Sequence, residues 1–184
     1  PLIGEKVVVI GQGIVGLLTT GLLARFPLAS LTTLDFYPLR REASIRLGAA
    51  LCLHPAAPDI FPRLGSSPGQ GGQADLVFEL SGNPAGLDTA LAITRHSGRV
   101  VVGSWYGSKK VGLDLGSFFH RGRLTLISSQ VSSIAPALSG RWQAHRRLDV
   151  AWEMLRQVRP QSLITHRFAL VDAAMNDMIR PALY

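Results

Sequence analysis

The feature that most narrows the fold is an apolar run, Lys6-Val-Val-Val-Ile10, that passes directly into Gly11-Gln12-Gly13-Ile14-Val15-Gly16 and then into helix-spaced leucines. A stretch rich in β-branched residues with no polar alternation fits a strand buried on both faces, as in a parallel sheet covered by helices. Ile14, Leu17, Leu18, Leu22 and Leu23 recur at helical spacing up to Phe26, and Pro27 stops the helix. Strand, glycine turn and helix in this order open a βαβ crossover.

The same alternation continues downstream. Leu31 to Leu34 reads as a second short strand ending at Asp35, and Pro38 to Leu47 as a helix closed by Gly48. Ala50 to Leu53 fits a third strand. His54 to Gln73, with four prolines and four glycines, makes a long irregular connection. Asp75 to Leu80 resumes as a strand, Pro84 to Arg95 as a helix with proline in its first turn, Gly98 to Ser104 as a fifth strand and Leu124 to Ser128 as a sixth. This predicts an α/β fold, a Rossmann doubly wound parallel sheet with strand order 3-2-1-4-5-6. After Gln130 the pattern changes to a charged helix over Trp142 to Val158, a short extended piece over Leu163 to His166 and a last helical stretch over Asp172 to Ile179. The expected organisation is a dinucleotide-binding domain over residues 1–130 and a C-terminal helical appendage over 131–184.

Composition excludes several classes. The apolar runs fall far short of the roughly 20 residues a membrane helix needs. The start lacks the pattern of a secretory leader, which sets the cytoplasm as the expected compartment. One cysteine, Cys52, allows no internal disulfide and no multi-cysteine zinc site, and it reads as a small buried hydrophobe. The net charge of +7 comes mainly from scattered arginines, with Lys6, Lys109 and Lys110 the only lysines. No zinc-finger or aromatic RNA-binding pattern accompanies them, so a solvated surface or a small anionic ligand is expected rather than a nucleic acid.

The string Gly11 to Gly16 is a G-x-G-x-x-G, and its context carries the meaning. Between a buried strand and a helix, Gly11 permits the tight turn, Gly13 lets backbone approach a pyrophosphate, and Gly16 lets the helix pack close to the sheet. The helix N-terminus, with Ile14 and Val15 in its first turn, offers free N–H groups to phosphate oxygens. Asp35 stands 19 residues after Gly16, at the end of the second strand, where a carboxylate accepts the ribose hydroxyls. A carboxylate there repels a 2′-phosphate and predicts NAD over NADP, although Arg40 and Arg41 lie near enough to oppose that. A methyltransferase would show a tighter G-x-G-x-G and an antiparallel last strand.

With these pieces in place the chain resembles the medium-chain dehydrogenase/reductase family, zinc-type. The resemblance rests on Gly4 to Gly16, Leu34 to Arg40, Ala74 to Gly82, Gly98 to Gly103 and the "LITHRF" of Leu163 to Phe168. Ser128-Ser-Gln-Val131 followed by Arg141-Trp142 and Arg146-Arg147 looks like the subgroup containing hydroxyethyl-bacteriochlorophyllide dehydrogenase. The resemblance implies that Arg40 flanks the adenosine ribose beside Asp35. It also implies that Ser81, Gly82, Gly103, Ser104 and Trp105 line the nicotinamide side, and that the backbone of Gln130 meets the carboxamide. Competing readings stand beside these: Ser81 and Gly82 as a capping turn before Pro84, and Trp105 and Tyr106 as surface or homodimer residues. His120 and His166 read as structural histidines. Cys52-Leu-His54 makes a poor zinc site, with two ligands on one strand and two missing.

The resemblance further implies an alcohol-dehydrogenase-like oxidoreductase acting on an alcohol or carbonyl substrate. Zinc, proton relay and much of the substrate pocket would belong to an N-terminal domain outside this sequence. The chain alone is therefore expected to bind the cofactor without turnover, with no catalytic or metal residue assigned to it. A stand-alone dinucleotide-binding or sensing domain is the alternative.

Overall fold

The computed structural model describes residues 1–67 and 70–167. Its frame is one six-stranded sheet, entirely parallel, in the order β3-β2-β1-β4-β5-β6. The strands are β1 (Lys6–Ile10), β2 (Ser30–Leu34), β3 (Leu51–Leu53), β4 (Ala74–Glu79), β5 (Thr94–Val102) and β6 (Thr125–Ser128). Between them run the helices α1 (Ile14–Leu23), α2 (Pro38–Arg46), the single-turn α3 (Ile60–Arg63) and α4 (Pro84–Ile93), and α5 (Ala144–Val158) follows the sheet. The expected topology is the observed one.

From Val7 to Ile10 β1 is apolar because both of its faces are covered. Val7 and Val9 pack with Leu23, Leu31 and Leu76 on one side, while Val8 and Ile10 join Leu34, Val77, Ile93 and Val100 on the other. Successive side chains of a strand point to opposite faces, so two cores require apolar residues at every position. The chain reverses order beside β1: β2 pairs on one side and β4 on the other. The carboxyl ends of these two central strands therefore border a crevice at the switch in strand order, where open α/β sheets bind ligands.

Several boundaries differ from the sequence expectation, among them the end of α1 at Leu23 rather than Phe26 and the start of α5 at Ala144 rather than Trp142. The fourth helix ends at Ile93 rather than Arg95, and the fifth strand starts at Thr94 rather than Gly98. Thr94 is buried and its hydroxyl donates to the Ala90 carbonyl, satisfying one of the last acceptors of the helix. The Gly72 N–H donates to the Thr94 carbonyl, which draws Thr94 into strand geometry. The register between β4 and β5 then shifts between Ala74 and Leu76. At the other end, Leu163 closes a 3-10 turn over Pro160–Leu163 instead of opening an extended piece. The left-handed Arg159 (φ 54°) ends α5, and Pro160 starts that turn. The helix expected over Asp172 to Ile179 lies outside the described residues.

Among the described residues beyond β6, α5 meets the sheet body at α1. Val158, the one buried residue of α5, sits over α1 at Gly21, where an added Cβ would lie 2.9 Å from Val158 Cγ1. The Arg25 guanidinium donates to the carbonyls of Gly21 and Gln157, joining the C-terminal turns of α1 and α5. Leu148 and Trp152 on the same helix are exposed.

Candidate functional site

A cleft of about 530 Å³ opens over the carboxyl ends of β1, β2 and β4. The glycine turn forms its floor, and its glycines stand in different surroundings. Gly11 holds a left-handed φ of 88°, and a Cβ there would fall 2.6 Å from the Ser81 backbone, just past the ends of the paired strands β1 and β4. Gly16 is internal packing: its Cβ would stand 1.9 Å from the Gly11 carbonyl oxygen. Gly13, the N-cap of α1, has an ordinary φ of −66° and nothing within 4 Å of a Cβ. Local packing does not demand glycine at that position. A Cβ there would point into open space beside the cleft.

Asp35 follows β2 and is 6% exposed. Its Oδ2 accepts from the Gln12 N–H at 2.7 Å and its Oδ1 from the Tyr37 N–H at 2.8 Å. A carboxylate has about four lone-pair sites, so both oxygens keep acceptor capacity toward the cleft. Gln12, which carries that N–H, is itself buried, with Thr20 Oγ1 donating to its side-chain oxygen at 2.9 Å. Arg40 lies 3.9 Å from Asp35 Oδ2 and stacks 4.6 Å over the Tyr37 ring, so it is an edge-of-cleft cation rather than a close ion pair. Arg41 turns away, donating to the carbonyls of Asp35 and Phe36 at 3.1 and 2.6 Å.

Of the expected site residues, the cleft brings together Gly11, Gly13, Asp35, Arg40 and Ser81. Ile14 and Val15 are exposed on the first turn of α1, and Gly16 is buried beneath it. Gly82, Gly103 and Ser104 form a second group beside Ser81. The Gly82 N–H donates to Ser104 Oγ at 2.8 Å, and the N–H groups of Gly103 and Ser104 donate to the Glu79 carbonyl at 3.0 and 3.2 Å. Trp105 is 90% exposed, and Gln130 uses its side-chain oxygen to accept from the Ser132 N–H. Neither lines the cleft. The cap of α4 is Asn83, which accepts from the Ala85 N–H, rather than Ser81.

Several residues of the site were not singled out from sequence. Phe36, Tyr37, Pro55, Asn83 and Thr89 complete the cleft wall. Glu79, at the end of β4, is fully buried. Its Oε1 accepts from the Ser81 N–H at 2.9 Å and from the Ser81 hydroxyl, and its Oε2 from the Tyr106 hydroxyl. Burial first, then the hydrogen bond to Glu79 and its charge, pushes the Tyr106 phenol well above its usual range. Burial likewise raises the Cys52 thiol, which fits a packing role better than a nucleophilic one. Among the described residues no group of three or more His, Cys, Asp or Glu side chains could hold a metal ion, and no helix is long and apolar enough to cross a membrane.

Against known proteins, residues 15–148 match the family model described as zinc-binding dehydrogenase. A sorbitol dehydrogenase of Bacillus subtilis (strain 168) is 29% identical over 99 residues, which cover 54% of this chain and 28% of that enzyme. Among solved structures, an alcohol dehydrogenase of E. coli CFT073 in complex with NADH superposes with a TM-score of 0.76 at 18% identity, over 98% of this chain and 50% of that one. A zinc-binding dehydrogenase of Sinorhizobium meliloti 1021 bound to NADP gives 0.64 at 22% identity, over 85% and 43%. The chain thus spans half or less of the length of these relatives.

Proposed function

From the premise that this chain belongs to the zinc-binding dehydrogenase family, we propose that its cleft holds a nicotinamide dinucleotide, NAD in preference to NADP, as the cofactor module of an alcohol-dehydrogenase-like oxidoreductase. One observation carries the reading. A glycine that local packing does not require sits at the N-terminus of α1, in the same cleft as a carboxylate with unused acceptor sites.

The parts fit the ligand chemically. Gly13 leaves the approach to the first N–H groups of α1 open, and a pyrophosphate there meets unpaired donors and the positive end of the helix dipole. Asp35 accepts from ribose hydroxyls, while Arg40 and Tyr37 flank the adenosine side. Ser81, Gly82, Gly103, Ser104, Trp105 and Gln130 are assigned to the nicotinamide side. The dinucleotide, when bound, supplies hydride exchange with an alcohol or carbonyl. The residues of this chain bind and orient it.

The segment from Val131 onward, with Leu148 and Trp152 exposed, is read as the part that meets the rest of such an enzyme. A cytoplasmic setting belongs to the same reading. No metal step is assigned to the described residues, since they do not bring a donor set together. A second reading is dinucleotide binding without turnover by this chain alone.

Fluorescence titration with NADH and NADPH tests the assignment. NADH is expected to bind at least about tenfold more tightly, because the buried Asp35 carboxylate stands where the 2′-phosphate would lie. Equal or tighter binding of NADPH would show that Arg40 and Arg41 outweigh Asp35.

A further inference from the structure

Glu79 is the one fully buried carboxylate among the described residues, and its partners are a backbone N–H and two hydroxyls rather than a cation. A buried charge is tolerated only when hydrogen bonds replace its lost hydration. Here those bonds come from two loops. Ser81 belongs to the loop after β4, and Tyr106 to the loop after β5. Swinging either loop outward strips the carboxylate of donors in a site with no water-exposed surface of its own. Gly86 on α4 leaves the room this needs, since a Cβ there would fall 2.6 Å from Glu79 Oε1 and 2.5 Å from Ser81 Oγ.

The second loop grips the first at further points. Ser104 Oγ accepts from the Gly82 N–H at 2.8 Å, and Lys109 Nζ donates to the Gly82 carbonyl at 3.1 Å. Gly82 has a left-handed φ of 67°, so both of its backbone polar groups are presented to the neighbouring loop. Tyr106, Ser104 and Lys109 thus form a clasp whose buried anchor is Glu79.

We propose that Glu79, acting through Tyr106, is a positioning residue: it holds the loop after β5 closed on the loop after β4, so that the nicotinamide end of the cleft is formed before the dinucleotide arrives. The inference rests on the dinucleotide reading above. It differs from a general stabilising role in predicting that only ligands reaching beyond the pyrophosphate feel the clasp. Preorganised loops spare the bound ligand the cost of ordering them.

The test compares NADH with ADP-ribose, which lacks the nicotinamide, on the wild type, on Tyr106→Phe and on Ser104→Ala. Tyr106→Phe removes one hydroxyl from a half-buried ring and preserves its shape. Loss of a hydrogen bond to a charged acceptor is expected to weaken NADH binding about tenfold, with ADP-ribose affinity changed less than about twofold. Ser104→Ala is expected to act in the same direction with a smaller effect. Unchanged NADH affinity in Tyr106→Phe overturns the proposal. Equal losses for both ligands overturn it too, because they show a structural effect on the whole cleft. If neither ligand binds the wild type, the dinucleotide reading fails and the clasp falls with it.

Discussion

The sheet body and the segment that follows β6 are built on different physical terms. In the first, β1 to β5 and their helices bury apolar residues on both sides of the sheet, and buried polar groups there, Gln12, Asp35 and Glu79 among them, make specified hydrogen bonds. In the second, among the described residues, the 15-residue α5 fully buries one side chain, Val158, and its last turn is bonded by Arg25, while Leu148 and Trp152 are exposed. The strand between them shares this exposure: β6 pairs with β5, yet all four of its residues are exposed. Where burial is two-sided, sequence pattern and fold constrain each other tightly. Where it is one-sided, the pattern marks a helix but says little about what covers it.

Two substitutions probe the contrast, the larger effect first. Gly16→Ala places a methyl group against the Gly11 carbonyl, backbone that cannot move without opening the β1 turn. A loss of about 1–3 kcal/mol or more is expected, as for overpacking in a tight interior, measured by urea unfolding. An unchanged midpoint would mean that the turn is pliable and that the two regions differ less than described. Trp152→Ala, in contrast, should alter stability by less than about 0.5 kcal/mol, because the residue is 62% exposed. A loss above about 2 kcal/mol would show that α5 is integral to the core and erase the distinction.

What the sequence disclosed follows the same division. Strand order, the glycine turn and Asp35 were legible because a two-sided strand, a turn of special geometry and a charge at a strand end each leave a local mark. The start of β5 was not: Thr94 and Arg95 carry no strand pattern, and Thr94 enters the sheet through the backbone bond from Gly72. The cleft wall made by Phe36, Pro55 and Thr89 comes from three separate elements that only the crossover geometry assembles. Glu79 was not singled out, although it interrupts the apolar run Leu76 to Leu80, and a charge in a central strand demands partners. Its partners could not be read, since Tyr106 stands 27 residues downstream and its ring carries no mark of where it turns. Ser81 does line the cleft, while the capping role weighed for it belongs to Asn83.

Gly13 gives the most direct test of the central claim, because packing leaves that position free and a side chain there would obstruct only the proposed ligand. Gly13→Val should unfold within about 1 kcal/mol of the wild type, the scale of an N-cap change, while NADH affinity falls at least about tenfold as the side chain fills the space where backbone would meet pyrophosphate. Titration and unfolding of the same preparation would read both. A variant that loses stability heavily yet binds NADH normally would contradict the account, making the glycine a packing requirement and leaving the cleft without its phosphate site.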